Sequence, residues 1–117
     1  MTTNSTTYTS NKWADTQVTN RAPFRGSHTW GEWIYNANQG DGLYVVFSYG
    51  HHFPIYVWDE LLGMWFGNKD KYSRSTTRHQ AQLRPNADRI EYLTSDEIIG
   101  LVSAGSVAEW TIHKARN

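Results

Sequence analysis

The chain has no cysteine, only three prolines and no long apolar run among its 117 residues. Without cysteine it can form neither disulfides nor thiolate metal sites, which agrees with a reducing compartment. A membrane-spanning helix needs roughly 18 consecutive apolar residues, and none is present. The first seven residues have neither a basic start nor an apolar stretch, so we predict no signal peptide. These absences predict a cytoplasmic protein with no membrane partner.

Hydrophobic residues are also scarce, and a large share of them is aromatic. They make up 38% of the chain, and six tryptophans and seven tyrosines contribute to an aromatic fraction of 15%. Each aromatic side chain can bury roughly 150–250 Å², so a few of them suffice to build a core. At this length we expect a single domain with one modest core.

The formal net charge is zero, but charges of opposite sign are separated along the chain. Residues 27–68 contain four acidic residues and no lysine or arginine. Residues 69–89 contain six basic residues and two acidic ones. A nucleic-acid mimic needs a broad negative surface, so this pattern argues against that class and is compatible with one basic face.

The composition divides the chain into two parts. Thr, Asn and Ser dominate residues 1–20, which have little apolar surface to offset the loss of backbone entropy. We therefore predict a flexible N-terminal arm over residues 1–20 and a single α+β domain over residues 21–117.

A helix is predicted near the start of this domain, over residues 27–36. Ser27 is a candidate cap, and Trp30, Trp33 and Ile34 follow the i, i+3, i+4 spacing of one helical face. Gly31 lies inside this helix, where it costs about 1 kcal/mol relative to alanine.

Strand-forming residues cluster in the middle of the chain. Residues 43–49 are β-branched and aromatic on both sides, which predicts a central strand buried on two faces. Residues 53–59 and 64–67 complete an antiparallel meander that spans residues 43–67. Residues 90–93 are a further candidate strand.

Two capping boxes predict helices after this meander. Thr77 with Gln80 opens the first, and Thr94 with Glu97 opens a second that continues through Ala104. The predicted fold class is α+β, with a small antiparallel sheet and two or three short helices packed on one face.

Two segments carry a family resemblance. Residues 48–55 read Ser-Tyr-Gly-His-His-Phe-Pro-Ile, and residues 72–80 read Tyr-Ser-Arg-Ser-Thr-Thr-Arg-His-Gln. The pair resembles a family of small, largely uncharacterised phage and plasmid proteins that carry similar segments in the same order. The resemblance implies a small accessory protein in the host-cell cytoplasm that binds a host or phage protein, with counter-defence as one such role.

The histidines of these segments are candidates for chemistry. If the helix packs beside the hairpin tip, His52 and His79 converge, and with Lys71 they form an acid–base site for a phosphodiester. The alternative is a structural His52 that fixes the turn. A metal site needs a third ligand, from Asp59 or Glu60, and no metal-binding spacing is present, so we predict no metal and no cofactor.

The basic segment, residues 69–89, is a candidate for nucleic acid. Amides at the helix start near Thr76 and Thr77 would attract phosphate, and neighbouring rings would stack on bases. Of Trp65 and Phe66, the alternation of a strand predicts that only one faces solvent. The predicted binding residues are Tyr49, His51, His52, Tyr72, Arg74, Thr76, Thr77, Arg78, His79 and Arg84.

Three functions therefore remain open. The protein partner is preferred, a nucleic-acid binder is the first alternative, and a small histidine-based phosphodiesterase is the second. The sequence has no glycine-rich phosphate loop and no paired-carboxylate motif, which favours binding over catalysis.

Overall fold

The computed structural model describes residues 6–35 and 42–104. In these residues seven strands form one sheet, in chain order from edge to edge. The strands are β1 (Thr7–Tyr8), β2 (Phe24–Arg25), β3 (Thr29–Tyr35), β4 (Gly42–Ser48), β5 (Gly50–Asp59), β6 (Met64–Asn68) and β7 (Ile90–Leu93). The helices are α1 (Asp15–Thr19), α2 (Arg74–Gln82) and α3 (Ser95–Ala104), and a 3-10 turn spans Asn11–Trp13. None of the described helices is long and apolar enough to cross a membrane.

The predicted meander forms the centre of a larger, mixed sheet. Strands β2 to β6 pair antiparallel, whereas β1 pairs with β2 and β7 pairs with β6 in parallel. The α+β class is confirmed, but the prediction of a small antiparallel sheet is wrong. The connection from β6 to β7 contains α2, and a crossover of this length allows a parallel neighbour.

Strand β4 lies at the middle of the sheet and is buried along its whole length, as predicted. Its alternate residues belong to two different cores. Leu43, Val45 and Phe47 pack with α3 residues. Tyr44 and Val46 pack with residues of α1 and the end of α2. Helices therefore cover both faces of the sheet, and the prediction that all helices pack on one face is wrong.

The prediction of a helix over residues 27–36 is wrong for the residues that the structure describes, because residues 29–35 form β3. This strand pairs with β4 over seven residues, including Trp30 with Phe47. The spacing of Trp30, Trp33 and Ile34 resembles a helical stripe, but both faces of β3 are apolar. Trp30 and Ile34 pack against the core that contains the α3 residues. Trp33 packs against the core on the opposite face of the sheet.

Helix α2 begins earlier than predicted, because its cap is Ser73. The side chain of Ser73 accepts a hydrogen bond from the Thr76 amide at 3.1 Å. The predicted box partner Gln80 is buried instead, and its Nε2 donates to the carbonyls of Asn68 and Asp70, each at 3.0 Å. The predicted first capping box is therefore wrong.

The second capping box, before α3, is confirmed. The Thr94 amide donates to Glu97 Oε1 at 2.9 Å, and the Glu97 amide donates to Thr94 Oγ1 at 3.2 Å. Both groups are close in sequence, so the sequence alone defines this helix start.

Residues 6–20, the described part of the segment predicted to be a flexible arm, pack against the domain. Ala14 and Val18 are fully buried in the same core as Leu83, which follows α2. The Asn86 amide donates to Thr19 Oγ1 at 2.9 Å. A few well-placed apolar residues thus anchor a segment whose overall composition is polar.

Candidate functional site

A cleft of about 330 Å³ lies where the N-terminal segment, two loops of the sheet and α2 meet. We call it the basic cleft. Its lining includes Lys12 from the 3-10 turn, His28 from the β2–β3 loop and Tyr49 from the β4–β5 turn. Helix α2 adds Arg78 and His79. The part of the lining that the structure describes contains no carboxylate.

Helix α2 presents one face to the cleft. Ser75, Arg78, His79 and Gln82 all line it, and their spacing of three and four residues places them side by side. His79 lies at the boundary between this face and the core, because Nδ1 of its ring shares a hydrogen bond of 2.8 Å with the Oγ of buried Ser48. The core therefore fixes the orientation of the His79 ring.

Two residues of the cleft have a backbone conformation that is rare outside glycine. His28 has a φ of 60° and Tyr49 a φ of 68°. Their rings stack with centroids 4.9 Å apart, and the Tyr49 amide donates to the His28 carbonyl at 2.7 Å. Such conformations cost about 1–3 kcal/mol each and cluster at functional sites. The neighbouring Gly50, which could adopt a positive φ without strain, does not do so, and Tyr49 adopts it instead.

Asn11 holds the loop that carries His28. Its Nδ2 donates to the Ser27 carbonyl at 2.9 Å. Its Oδ1 accepts from the Ser27 amide at 3.1 Å and from Thr29 Oγ1 at 2.6 Å. Three bonds from one side chain thus fix the residues on both sides of His28. The segment before residue 20 is part of the site for this reason.

His79 is an imidazole that resists protonation. Burial lowers its pKa below the ordinary 6.5, and the nearby His28 and Arg78 lower it further. The neutral ring is therefore favoured at neutral pH. A neutral imidazole can accept a proton or a hydrogen bond, which suits a site for polar ligands.

One partly exposed aromatic ring, Tyr49, lines the cleft, and another, Trp13, follows the lining residue Lys12 in the chain. Tyr49, which also contacts the His79 ring at 5.4 Å, is 47% exposed. Trp13 is 64% exposed, and the Lys12 ammonium lies 5.1 Å from the centre of its ring. The Tyr49 ring is already stacked on His28, so Trp13 is the ring of this pair that offers the accessible surface beside the cations.

Of the predicted binding residues, Tyr49, Arg78 and His79 meet in this cleft. His51 and His52, predicted beside them, are not part of its lining. His51 lies near Glu32, with 3.3 Å between its Nε2 and a carboxylate oxygen, and its ring contacts Trp30 and Phe47. The strand alternation explains this placement, because Phe47 and Ser48 face opposite sides of the sheet.

The other predicted residues of the basic segment spread over the surface around α2. Arg74, Thr77 and Arg84 are exposed, and the Tyr72 ring packs on Phe53 at 5.5 Å. Thr76 is buried, and its amide and that of Thr77 already donate to Ser73. These two amides are therefore occupied and do not form the predicted phosphate site.

The remaining candidates for an acid–base or metal site are also apart from the cleft. Lys71 donates to Gln80 Oε1 at 3.3 Å. Asp59 is buried and accepts from the Leu62 amide at 3.1 Å, and Glu60 accepts from Trp58 Nε1 at 2.6 Å. Within residues 6–35 and 42–104, no three His, Asp or Glu side chains form a group that could hold a metal ion.

The aromatic pair of β6 does not contribute a stacking surface. Trp65 and Phe66 are 4% and 5% exposed, so neither faces solvent. The prediction that one of these two rings faces solvent is wrong. Each face of the sheet has its own core, and each core buries one of the rings.

A larger groove of about 420 Å³ lies at the β1 edge of the sheet. Its one carboxylate, Glu32, already accepts from Trp30 Nε1 at 2.7 Å and pairs with His51. Volume alone favours this groove. The basic cleft is the stronger candidate because it combines two strained residues, two imidazoles and two cations.

Sequence reasoning missed Lys12, Asn11, His28 and Ser48. His28 follows a Gly-Ser pair that marks a loop, but the predicted helix over 27–36 hid this signal. Ser48 lies inside the family-like segment, yet only the packing of α2 on β4 brings it to His79. Comparison with protein-family models, with curated proteins and with solved structures finds no match for this chain.

Proposed function

We propose that this chain binds single-stranded nucleic acid through the basic cleft. The observation that carries the proposal is the joint presence of cations and imidazoles around one opening, with an exposed tryptophan next in the chain to a lining lysine. Lys12 and Arg78 line the cleft and supply positive charge. Trp13, the residue after Lys12, is 64% exposed and supplies a stacking surface. Proteins that bind single strands without sequence preference combine a positive groove with aromatic platforms in this way.

A single strand fits the rings better than a duplex does. Stacking needs an unpaired base, whereas bases inside a helix are already stacked on their neighbours. Trp13, at 64% exposed, leaves a large part of its ring accessible. Because stacking tolerates any base, we expect little sequence preference.

The binding assay uses a labelled single-stranded RNA of about 12 nucleotides, within the usual site sizes. Fluorescence anisotropy at roughly 50 and 200 mM salt should show affinity that falls with salt. Arg78→Ala should reduce the log–log slope by about 0.7, as expected for one lost phosphate contact on a single strand. Trp13→Ala should weaken binding by roughly fivefold or more, because one stacked base contributes about 1–3 kcal/mol.

Arg84→Ala and Tyr8→Ala are the matched controls. Arg84 belongs to the same basic segment but does not line the cleft. Tyr8 is 78% exposed and lines the separate groove at the β1 edge. Both variants should bind as the parent protein does. Equal losses for Arg78→Ala and Arg84→Ala would indicate diffuse attraction by the basic segment, and absence of binding at low salt would refute the proposal.

A protein partner, in a phage or plasmid setting, stays a prediction that rests on the family resemblance. The exposed pair Leu61 and Leu62, at 51% and 43%, lies on the β5–β6 turn and offers an apolar contact. Capture of binding partners from host lysate, before and after nuclease treatment, distinguishes a protein partner from a nucleic-acid partner. A protein retained after nuclease and lost in Leu61→Ser/Leu62→Ser would favour the protein partner.

A further inference from the structure

We propose that the basic cleft also cleaves the strand it binds, by transphosphorylation of RNA with His79 as the base and His28 as the acid. The inference rests on the proposed function, because the scissile phosphate has to lie in this cleft. It differs from the acid–base pair predicted from the sequence, in which His52 took the place of His28.

The first support is the fixed orientation of His79. Its Nδ1 shares a hydrogen bond of 2.8 Å with Ser48 Oγ. With the ring proton on Nδ1 and donated to Ser48, Nε2 is the free acceptor that a general base needs. Ser48 is fully buried and cannot reach a ligand. It is therefore a positioning residue rather than a nucleophile.

The second support is the strained position of His28. A left-handed backbone at a bulky residue persists only where its surroundings impose it. Here Asn11 bonds to Ser27 and Thr29 on either side, and Tyr49 stacks on the ring. The Tyr49 ring also contacts His79, so the two imidazoles share one neighbour. The chain thus holds both rings at a single opening.

The third support is the charge around these rings. Arg78 and Lys12 line the same opening. Positive side chains there stabilise the extra negative charge that builds up on the phosphoryl oxygens in the transition state. His28, Arg78 and His79 all line this cleft.

In the proposed step, His79 Nε2 removes the proton of a ribose 2′-hydroxyl. The 2′-oxygen attacks the adjacent phosphorus and forms a new P–O bond. The P–O5′ bond breaks, its electron pair stays on O5′, and this oxygen takes a proton from the His28 imidazolium. The products are a 2′,3′-cyclic phosphate and a 5′-hydroxyl, and no oxidant or further reactant is needed.

This assignment implies a bell-shaped dependence of the cleavage rate on pH. The base has to be neutral. Its neighbours are Ser48, Tyr49, His28 and the Arg78 cation, and Lys12 lines the same cleft. Burial lowers the pKa of His79, and the neighbouring His28 and Arg78 lower it further. The rate should therefore fall on the acidic side at a pH below the ordinary pKa range of histidine. This midpoint should move to higher pH in Arg78→Gln, because the nearby cation is removed.

The test uses the full chain and an RNA of about 12 nucleotides with a fluorophore and a quencher at its ends. Cleavage should leave cyclic phosphates. His79→Gln and His28→Asn should each lower the rate by about 100-fold or more. Asparagine is chosen at position 28 because it tolerates a positive φ better than most residues. His52→Gln is the matched control and should cleave as the parent protein does.

Binding is measured in parallel with the same sequence as DNA, which lacks the attacking hydroxyl. Binding of the DNA without cleavage of the RNA would overturn this inference and leave the proposed function standing. Failure to bind either strand would overturn the proposed function itself. Cleavage that persists in both His28→Asn and His79→Gln would also overturn the inference, because it would arise elsewhere.

Discussion

Replacing Gly31 with alanine is expected to lower the free energy of unfolding by about 3–5 kcal/mol. A Cβ atom at this position would lie 2.3 Å from the Tyr44 hydroxyl and 2.7 Å from Phe24 Cε1. Both rings are fully buried and cannot move aside without disturbing the core. Overpacking of this kind costs about 1–3 kcal/mol or more. Displacing Tyr44 would also break its hydrogen bond of 2.6 Å to the Ala22 carbonyl, for about 1–3 kcal/mol more.

Urea denaturation of the parent and the variant measures this loss. Gly63→Ala is the matched control, because Gly63 has a φ of 63° and nothing within 4 Å of the added Cβ. That variant should lose only the backbone strain, about 1–2 kcal/mol. A loss at Gly31 no larger than the loss at Gly63 would contradict the close packing of β3 on Tyr44.

Val18→Asp is expected to cost about 4 kcal/mol or more and to release the N-terminal segment. Val18 is fully buried among apolar residues that include Phe24 and Leu83. The change removes a buried apolar side chain and places a carboxylate without a partner in the core. We expect a lower melting temperature and fast tryptic cleavage after Lys12, a bond that should resist trypsin in the parent protein.

Thr16→Asp is the control for this change, since Thr16 lies on the same short helix and is exposed. It should alter stability by less than about 0.5 kcal/mol. If residues 1–20 were the flexible arm that their composition predicts, trypsin would cut the parent protein rapidly after Lys12. Val18→Asp would then leave the melting temperature unchanged. The experiment therefore shows whether the N-terminal segment is flexible, as its composition predicts, or packed on the domain through Val18.

The N-terminal segment also supplies part of the basic cleft. Lys12, Asn11 and Trp13 belong to this segment, and they supply a cation, the bonds that hold the His28 loop and a stacking surface. Release of the segment in Val18→Asp should therefore weaken binding of single-stranded RNA as well as lower stability.

Sequence patterns predicted the elements whose causes are local. Strand β4 was predictable because its run of β-branched and aromatic residues suits a strand buried on both faces. The cap of α3 was predictable because Thr94 and Glu97 are three residues apart. The helix predicted at Trp30 failed for a related reason: the spacing of three aromatic and aliphatic residues fits both a helical face and a strand with two apolar sides.

By itself, the sequence determined the central meander, the α+β class and the two segments that contain Tyr49, Arg78 and His79. Only the tertiary structure decided which of its side chains meet. His79 reaches Ser48, 31 residues away, because α2 packs on one face of β4. The alternation of the same sheet sends His51 to the opposite face. His28 joins the site because Asn11, distant in sequence and placed by the burial of Ala14 and Val18, fixes its loop. Such contacts depend on long-range packing, which no local pattern encodes.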